Sequence, residues 1–64
     1  MDLSDVVYAV GVILVRENDL SDDVIEIVDT YLRDVWCIDD AQIRVMILQN
    51  AAVQVGLLPA RGID

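Results

Sequence analysis

The clearest pattern along the chain is a helix-start sequence that occurs three times, each time ahead of a mainly apolar segment. An apolar residue, one or two oxygen-bearing residues and a second apolar residue together form the hydrophobic staple and cap of a helix. At the third start, Gln42 is also placed to complete a capping box on the amide of Asp39. The three starts are Leu3-Ser4-Asp5 leading to Tyr8, Leu20-Ser21-Asp22 leading to Ile25, and Ile38-Asp39-Asp40 leading to Ile43.

Helix ends can also be read from the sequence. Asn18 follows the first apolar segment, and Gly56 follows the third, with Pro59 close behind. Asn and Gly accept the left-handed conformation that ends many helices, and proline stops a helix from continuing. After Gly56, Leu57 or Leu58 is expected to fold back as the apolar contact of the cap. We predict an all-α fold of three short antiparallel helices at about 5–17, 22–36 and 40–55, with a domain at 1–56 and a C-terminal tail at 57–64.

Two segments also allow an extended interpretation. Six of the ten residues in 6–15 are β-branched, which favours a buried strand. The segment 43–57 could form a hairpin that turns at 49–52. The cap before this segment and the glycine near its end favour a helix.

The second predicted helix has one apolar and one polar half, as in an ordinary surface helix. Asp29 precedes Arg33 by four residues, and Asp40 precedes Arg44 by four at the start of the third helix. Acid-first pairs at this spacing stabilise a helix by about 0.3 kcal/mol each. We therefore expect both pairs to form within their own helices.

The first predicted helix has no comparable polar half. Between Asp5 and Arg16 it contains no charged or amide side chain, and its only non-bulky sector holds Asp5, Ala9 and Arg16. Two short neighbouring helices cannot enclose a helix that is apolar on nearly all sides. The third predicted helix also carries more apolar surface than its neighbours can cover, although less than the first. Small proteins most often bury such surface against a second copy of themselves. We therefore predict a homodimer with interface residues Val7, Val10, Gly11, Leu14, Val45, Leu48 and Ala52.

Gly11 lies in the middle of the first predicted helix. Glycine costs about 1 kcal/mol relative to alanine in an exposed helix. Its presence suggests the close crossing of another backbone, although a tolerated defect explains it equally well.

Length and charge narrow the function classes. The chain has 64 residues, 56% of them hydrophobic, and a net charge of −8 with only four basic residues. Such a charge disfavours binding to nucleic acids and to anionic membranes. The longest apolar run, 6–15, is too short to span a bilayer and follows acids where a signal peptide needs bases. We therefore expect a soluble protein. The single Cys37 cannot form an internal disulfide, which favours the reducing cytoplasm.

The residues for catalysis are largely missing. The chain contains no histidine, and Cys37 has neither a base to activate it nor a second cysteine. The acids in 17–28 lack the central glycine and the final glutamate of a calcium loop. Most acids near helix starts are explained by capping and by the helix dipole. We therefore expect no enzyme activity, no metal and no cofactor.

The sequence thus favours a small acidic protein-binding factor, such as an adaptor, inhibitor or assembly component, that acts as a homodimer without catalysis. One alternative is an acidic nucleic-acid mimic that inhibits a DNA- or RNA-binding protein, as phage and mobile-element anti-defence proteins do. A second alternative is a subunit of a self-assembling structure. Its partners would be a second copy and a further protein. The candidate partner surface comprises Glu26, Asp29, Tyr31, Asp34, Trp36 and Met46.

Overall fold

The computed structural model describes residues 2–59, which form three packed α-helices and no strand. They are α1 (Leu3–Glu17), α2 (Asp22–Asp34) and α3 (Ala41–Gln54). The all-α prediction is therefore confirmed, and the strand and hairpin alternatives are wrong. Within the described residues, no helix combines the length and apolar character needed to cross a membrane. The homodimer stays a prediction.

The first helix begins two residues earlier than its sequence suggests. Asp2 is the N-cap, and its side-chain oxygen accepts a hydrogen bond from the Ser4 amide at 2.9 Å. Ser4 is consequently helical and does not cap, and Leu3 does not precede the cap as a staple residue must. Asp2, Ser4 and Asp5 are all suitable caps by residue type. The one that starts the helix earliest adds a further half-turn of backbone hydrogen bonds.

The start of α2 is predicted correctly, whereas α3 starts one residue later than predicted. Ser21 caps α2 as predicted, accepting from the Val24 amide at 3.4 Å. In α3 the cap is Asp40 rather than Asp39, with its carboxylate accepting from the Gln42 amide at 2.9 Å and the Ile43 amide at 3.4 Å. Because the cap is shifted by one residue, Gln42 does not occupy the capping-box position.

The helix ends follow the predicted chemistry at Asn18 and Gly56. Asn18 is left-handed (φ 52°) and donates its amide to the Leu14 carbonyl at 2.7 Å. Gly56 is also left-handed (φ 84°), and the Leu57 amide donates to the Ala52 carbonyl at 2.9 Å, which forms a Schellman motif. Leu57 packs against the core, as predicted for the cap contact.

The second helix ends two residues earlier than predicted. Cys37 adopts a left-handed conformation (φ 57°), which reverses the chain directly after Trp36. This reversal lets the Ile38 amide donate to the Leu32 carbonyl at 3.1 Å and buries the Ile38 side chain. The early end of α2 therefore allows Ile38 to be buried, which a helix extending to Trp36 would not.

The core lies where one stripe from each helix meets. α1 packs mainly on α3, and α2 closes the remaining side. The α1 stripe has a spacing of four residues and the α2 stripe has the same spacing, so each presents one narrow line of side chains. Buried apolar residues are Val6, Val10 and Leu14 of α1, Val24, Val28 and Leu32 of α2, Ile38, and Ile47, Ala51 and Ala52 of α3.

An ion pair between two helices replaces the predicted pairs within helices. Arg44 donates from Nε to the Asp29 carboxylate at 2.6 Å and from an Nη atom to the Ile38 carbonyl at 2.7 Å. Arg33 instead lies beside Asp34, with the Nε and Oδ1 atoms 3.4 Å apart. The predicted pairs Asp29 with Arg33 and Asp40 with Arg44 are therefore wrong. Asp40 is engaged as a cap, and Arg44 links α2, α3 and their connection.

Candidate protein-binding face

One side of α1 exposes three large apolar side chains. Tyr8 is 74% exposed, Val12 43% and Val15 62%. Their spacing of four and three residues places them on one side of the helix, opposite the buried stripe of Val6 and Leu14. We call Tyr8, Val12 and Val15 the α1 face. The prediction that the neighbouring helices leave part of α1 uncovered is confirmed.

An open apolar groove runs beside the α1 face, between α1 and α3. Its volume is about 370 Å³. A second recess of about 280 Å³ continues it toward the start of α1. Because Val7 and Gln54 line both recesses, the two form one continuous groove between α1 and α3. The groove is lined by Val7, Tyr8, Gly11, Val12, Val15, Arg16, Gln54 and Val55.

The two ends of the α1 face carry opposite charges. Asp5 lies in the first turn of α1 and Arg16 in its last turn, and both are exposed. Negative charge at a helix start and positive charge at its end are favourable for the helix dipole. Neither side chain takes part in an ion pair with residues 2–59. Both charges are therefore open to a partner on this side of the molecule.

Four of the residues predicted for the dimer interface require correction. Val10, Leu14 and Ala52 are fully buried within the single chain, and Gly11 is also buried. They face the core because α1 and α3 pack on each other through these positions. Val10, Leu14 and Ala52 are therefore core contacts of the single chain, whereas Gly11 also lines the groove.

The other three predicted interface residues do not form one surface. Val7 is half-buried and lines the groove beside α1. Val45, 50% exposed, and Leu48, half-buried, instead line a recess of about 30 Å³ between α2 and α3. Only Val7 adjoins the α1 face.

The residues predicted for a partner surface are also dispersed. Tyr31 and Trp36 are half-buried against the core, and the Trp36 Nε1 atom is buried without a hydrogen-bond acceptor within residues 2–59. Asp29 is bound to Arg44. Glu26 and Asp34 are exposed on α2, whereas Met46, 45% exposed, lies on α3. Glu26 and Tyr31 line one recess on α2, but the structure does not gather all six residues into a single site.

The sequence does not by itself identify the α1 face. An apolar helix gives no direct sign of which side faces the core. The narrow sector of Asp5, Ala9 and Arg16 was the available signal, because charged residues mark the solvent side. At 100° per residue, Val12 lies at one edge of that sector, and Tyr8 and Val15 lie beyond it on the same side. The sector marks the solvent side of α1, but it does not distinguish Tyr8 and Val15 from Ile13, which lies at its other edge and packs against the core.

Side chains of the types that bind metal ions are not clustered in the described part of the chain. Among residues 2–59, no group of three or more His, Cys, Asp or Glu side chains could hold a metal ion. Cys37 is exposed at the end of α2, away from the groove residues in sequence. The arrangement on α1 is thus one of apolar contact surface with a charge at each end.

Comparisons with protein-family models, characterised proteins and solved structures find no match to this chain.

Gly11→Ala is expected to raise the free energy of unfolding by about 1 kcal/mol, because alanine is the better helix former. A Cβ atom at this position would lie 3.5 Å from Val55 Cγ1, an ordinary van der Waals distance. The nearest neighbour is therefore a side chain, and within residues 2–59 no backbone crosses too closely for alanine. Urea denaturation of both proteins measures the change.

The matched control is Gly56→Ala. No atom of the described residues lies within 4 Å of a Cβ there, but the left-handed φ of 84° strains any other residue. We expect it to lower stability by about 1 kcal/mol. A loss of stability in Gly11→Ala as well would contradict the prediction, and would indicate that Val55 cannot shift to accept the added methyl group.

Proposed function

We propose that the chain is a small, non-catalytic protein-binding factor that acts as a homodimer and uses the α1 face for association. The exposure of Tyr8, Val12 and Val15 beside an apolar groove is the observation that carries this proposal. Apolar surface that remains contiguous and exposed in a small protein usually marks an interaction site. Tyrosine is enriched in such sites because it buries a large area with few rotatable bonds.

The charge distribution supports apolar association at this face over binding by acids. Asp29 is bound to Arg44, and Asp34 lies beside Arg33. Asp22 and Asp23 occupy the first turn of α2, where the helix dipole accounts for them. Four of the five acids of α2 thus have local structural explanations and only Glu26 has none, so nucleic-acid mimicry draws little support from this helix. The proposal includes a reducing, cytoplasmic location, which suits an exposed and unpaired Cys37.

Light scattering coupled to size exclusion tests the proposal. At micromolar concentration, the wild-type chain is expected to show twice its monomer mass of 7.1 kDa. The variant Tyr8→Ser with Val15→Ser is expected to show the monomer mass and unchanged helical circular dichroism, because both positions are exposed. Ile27→Ser is the control, since Ile27 is 51% exposed but lies on α2. A folded wild-type monomer that captures no partner through Tyr8 and Val15 would refute the proposal.

Salt dependence separates an apolar interface from an acidic one. Salt screens exposed charges and leaves apolar contacts intact. We therefore expect proteins captured from a lysate by the immobilised chain to stay bound as salt rises, and to be lost with the Tyr8→Ser, Val15→Ser bait. Loss at moderate salt from the wild-type bait would favour the nucleic-acid mimic instead.

A further inference from the structure

We propose that the α1 face binds the α1 face of a second copy in an antiparallel arrangement, with Asp5 of each chain paired to Arg16 of the other. This inference rests on the proposed function and specifies its interface. It is carried by the order of charges along the exposed side of α1, by the residues between Asp5 and Arg16, and by the absence of any other charged residue between these two.

The charges on α1 are complementary to their own reversed order. Asp5 and Arg16 are eleven residues apart, which corresponds to about 16 Å along the helix. An antiparallel copy reverses that order, so each acid meets a base at the same separation. A parallel copy would place acid against acid and base against base. The charge order therefore favours the antiparallel pair.

The residues between the two charges suit close helix packing. Asp5, Ala9, Val12 and Arg16 recur at intervals of four, three and four residues, as in the seam of paired helices. In the antiparallel pair, Ala9 lies opposite Val12 of the second copy, and the small Ala9 side chain lets the helices approach. Tyr8 and Val15 lie on the same flank of the seam. Tyr8 then packs on Val12 and Val15 of the second copy.

Charge also explains why a second copy suits this face. The chain carries a net charge of −8, so two copies repel each other over most of their surfaces. The seam holds one acid and one base and has no net charge. Self-association through it brings together the part of α1 where this repulsion is smallest.

Charge reversal tests the pairing. Asp5→Arg and Arg16→Glu are each expected to raise the dimer dissociation constant about tenfold at low salt, because each replaces two attractive pairs with two repulsive ones. A one-to-one mixture of the two variants is expected to restore dimerisation as a heterodimer. Analytical ultracentrifugation measures the constants, and circular dichroism follows the folding of each variant.

The second helix provides matched controls. Asp23→Arg and Arg33→Glu change the net charge by the same amounts and also lie in the first and last turns of a helix, but on α2. They should leave the dissociation constant unchanged. If the mixture does not associate more tightly than either α1 variant alone, antiparallel pairing is wrong.

The outcomes distinguish this inference from the proposed function. If Tyr8→Ser with Val15→Ser abolishes the dimer and the charge variants behave like their controls, the α1 face is retained and the pairing is overturned. If the wild-type chain is a folded monomer that binds another protein through Tyr8, a heterologous partner covers the face, which also overturns the pairing. If the dimer survives the serine substitutions, both proposals fail.

Discussion

Leu14→Ala is expected to leave most of the chain unfolded at 25 °C. Leu14 is fully buried in the core. Truncation of a buried leucine to alanine costs about 2–5 kcal/mol, because the transfer free energy is lost and a cavity remains. A core in a domain of this size supplies only about 3–5 kcal/mol of stability. The substitution therefore removes about as much stability as the fold has.

Leu58→Ala is the matched control for Leu14→Ala. It makes the same chemical change at a side chain that is 37% exposed and lies beyond α3. We expect less than about 1 kcal/mol of destabilisation there. Thermal and urea denaturation followed by circular dichroism compare the two. Equal effects would mean that Leu14 does not lie in the core. If the chain dimerises, higher protein concentration should partly refold Leu14→Ala.

Arg44→Ala is expected to destabilise the chain by about 2–3 kcal/mol. The Arg44 side chain is only 12% exposed, and it satisfies the carbonyl of the buried Ile38 as well as Asp29. Loss of the guanidinium leaves that carbonyl without its partner, which costs more than the ion pair itself. Asp29 contributes less because it is 41% exposed and water can solvate it.

Two further variants test the role of Arg44. Arg33→Ala removes an arginine whose pair with Asp34 is more than half exposed on both sides, and should change stability by less than about 0.5 kcal/mol. Arg44→Lys should recover only part of the loss, because one ammonium group cannot reproduce the fork that reaches two acceptors. Urea denaturation gives all three values. Full recovery in Arg44→Lys would show that charge alone matters at this position.

Local chemistry explains which parts of the fold the sequence predicts well. Ser21, Asn18 and Gly56 act on backbone groups within a few residues, so their side chains or conformational freedom suffice to place a helix end. The sequence misplaces the first helix start because Asp2, Ser4 and Asp5 are all suitable caps. Local chemistry does not decide between caps that are equally suitable.

Tertiary contacts explain which parts the sequence predicts poorly. Arg44 pairs with Asp29, fifteen residues away, instead of with its helical neighbour. This choice depends on how α2 and α3 pack. The sequence also does not determine which side of α1 faces the core, because Leu14 and Val15 are both apolar. Only packing against the other helices places Leu14 in the core and Val15 in solvent. The candidate site could therefore be predicted as a property of α1, but not residue by residue.

The indole of Trp36 gives the protein its own spectroscopic reporter. It is the only tryptophan in the chain, it packs against the core, and its ring nitrogen is shielded from water. Its fluorescence emission should shift to longer wavelength when the three helices separate. Because Trp36 lies outside the α1 face, separation of two intact copies should leave the emission nearly constant. One unlabelled sample can thus distinguish loss of the fold from loss of association.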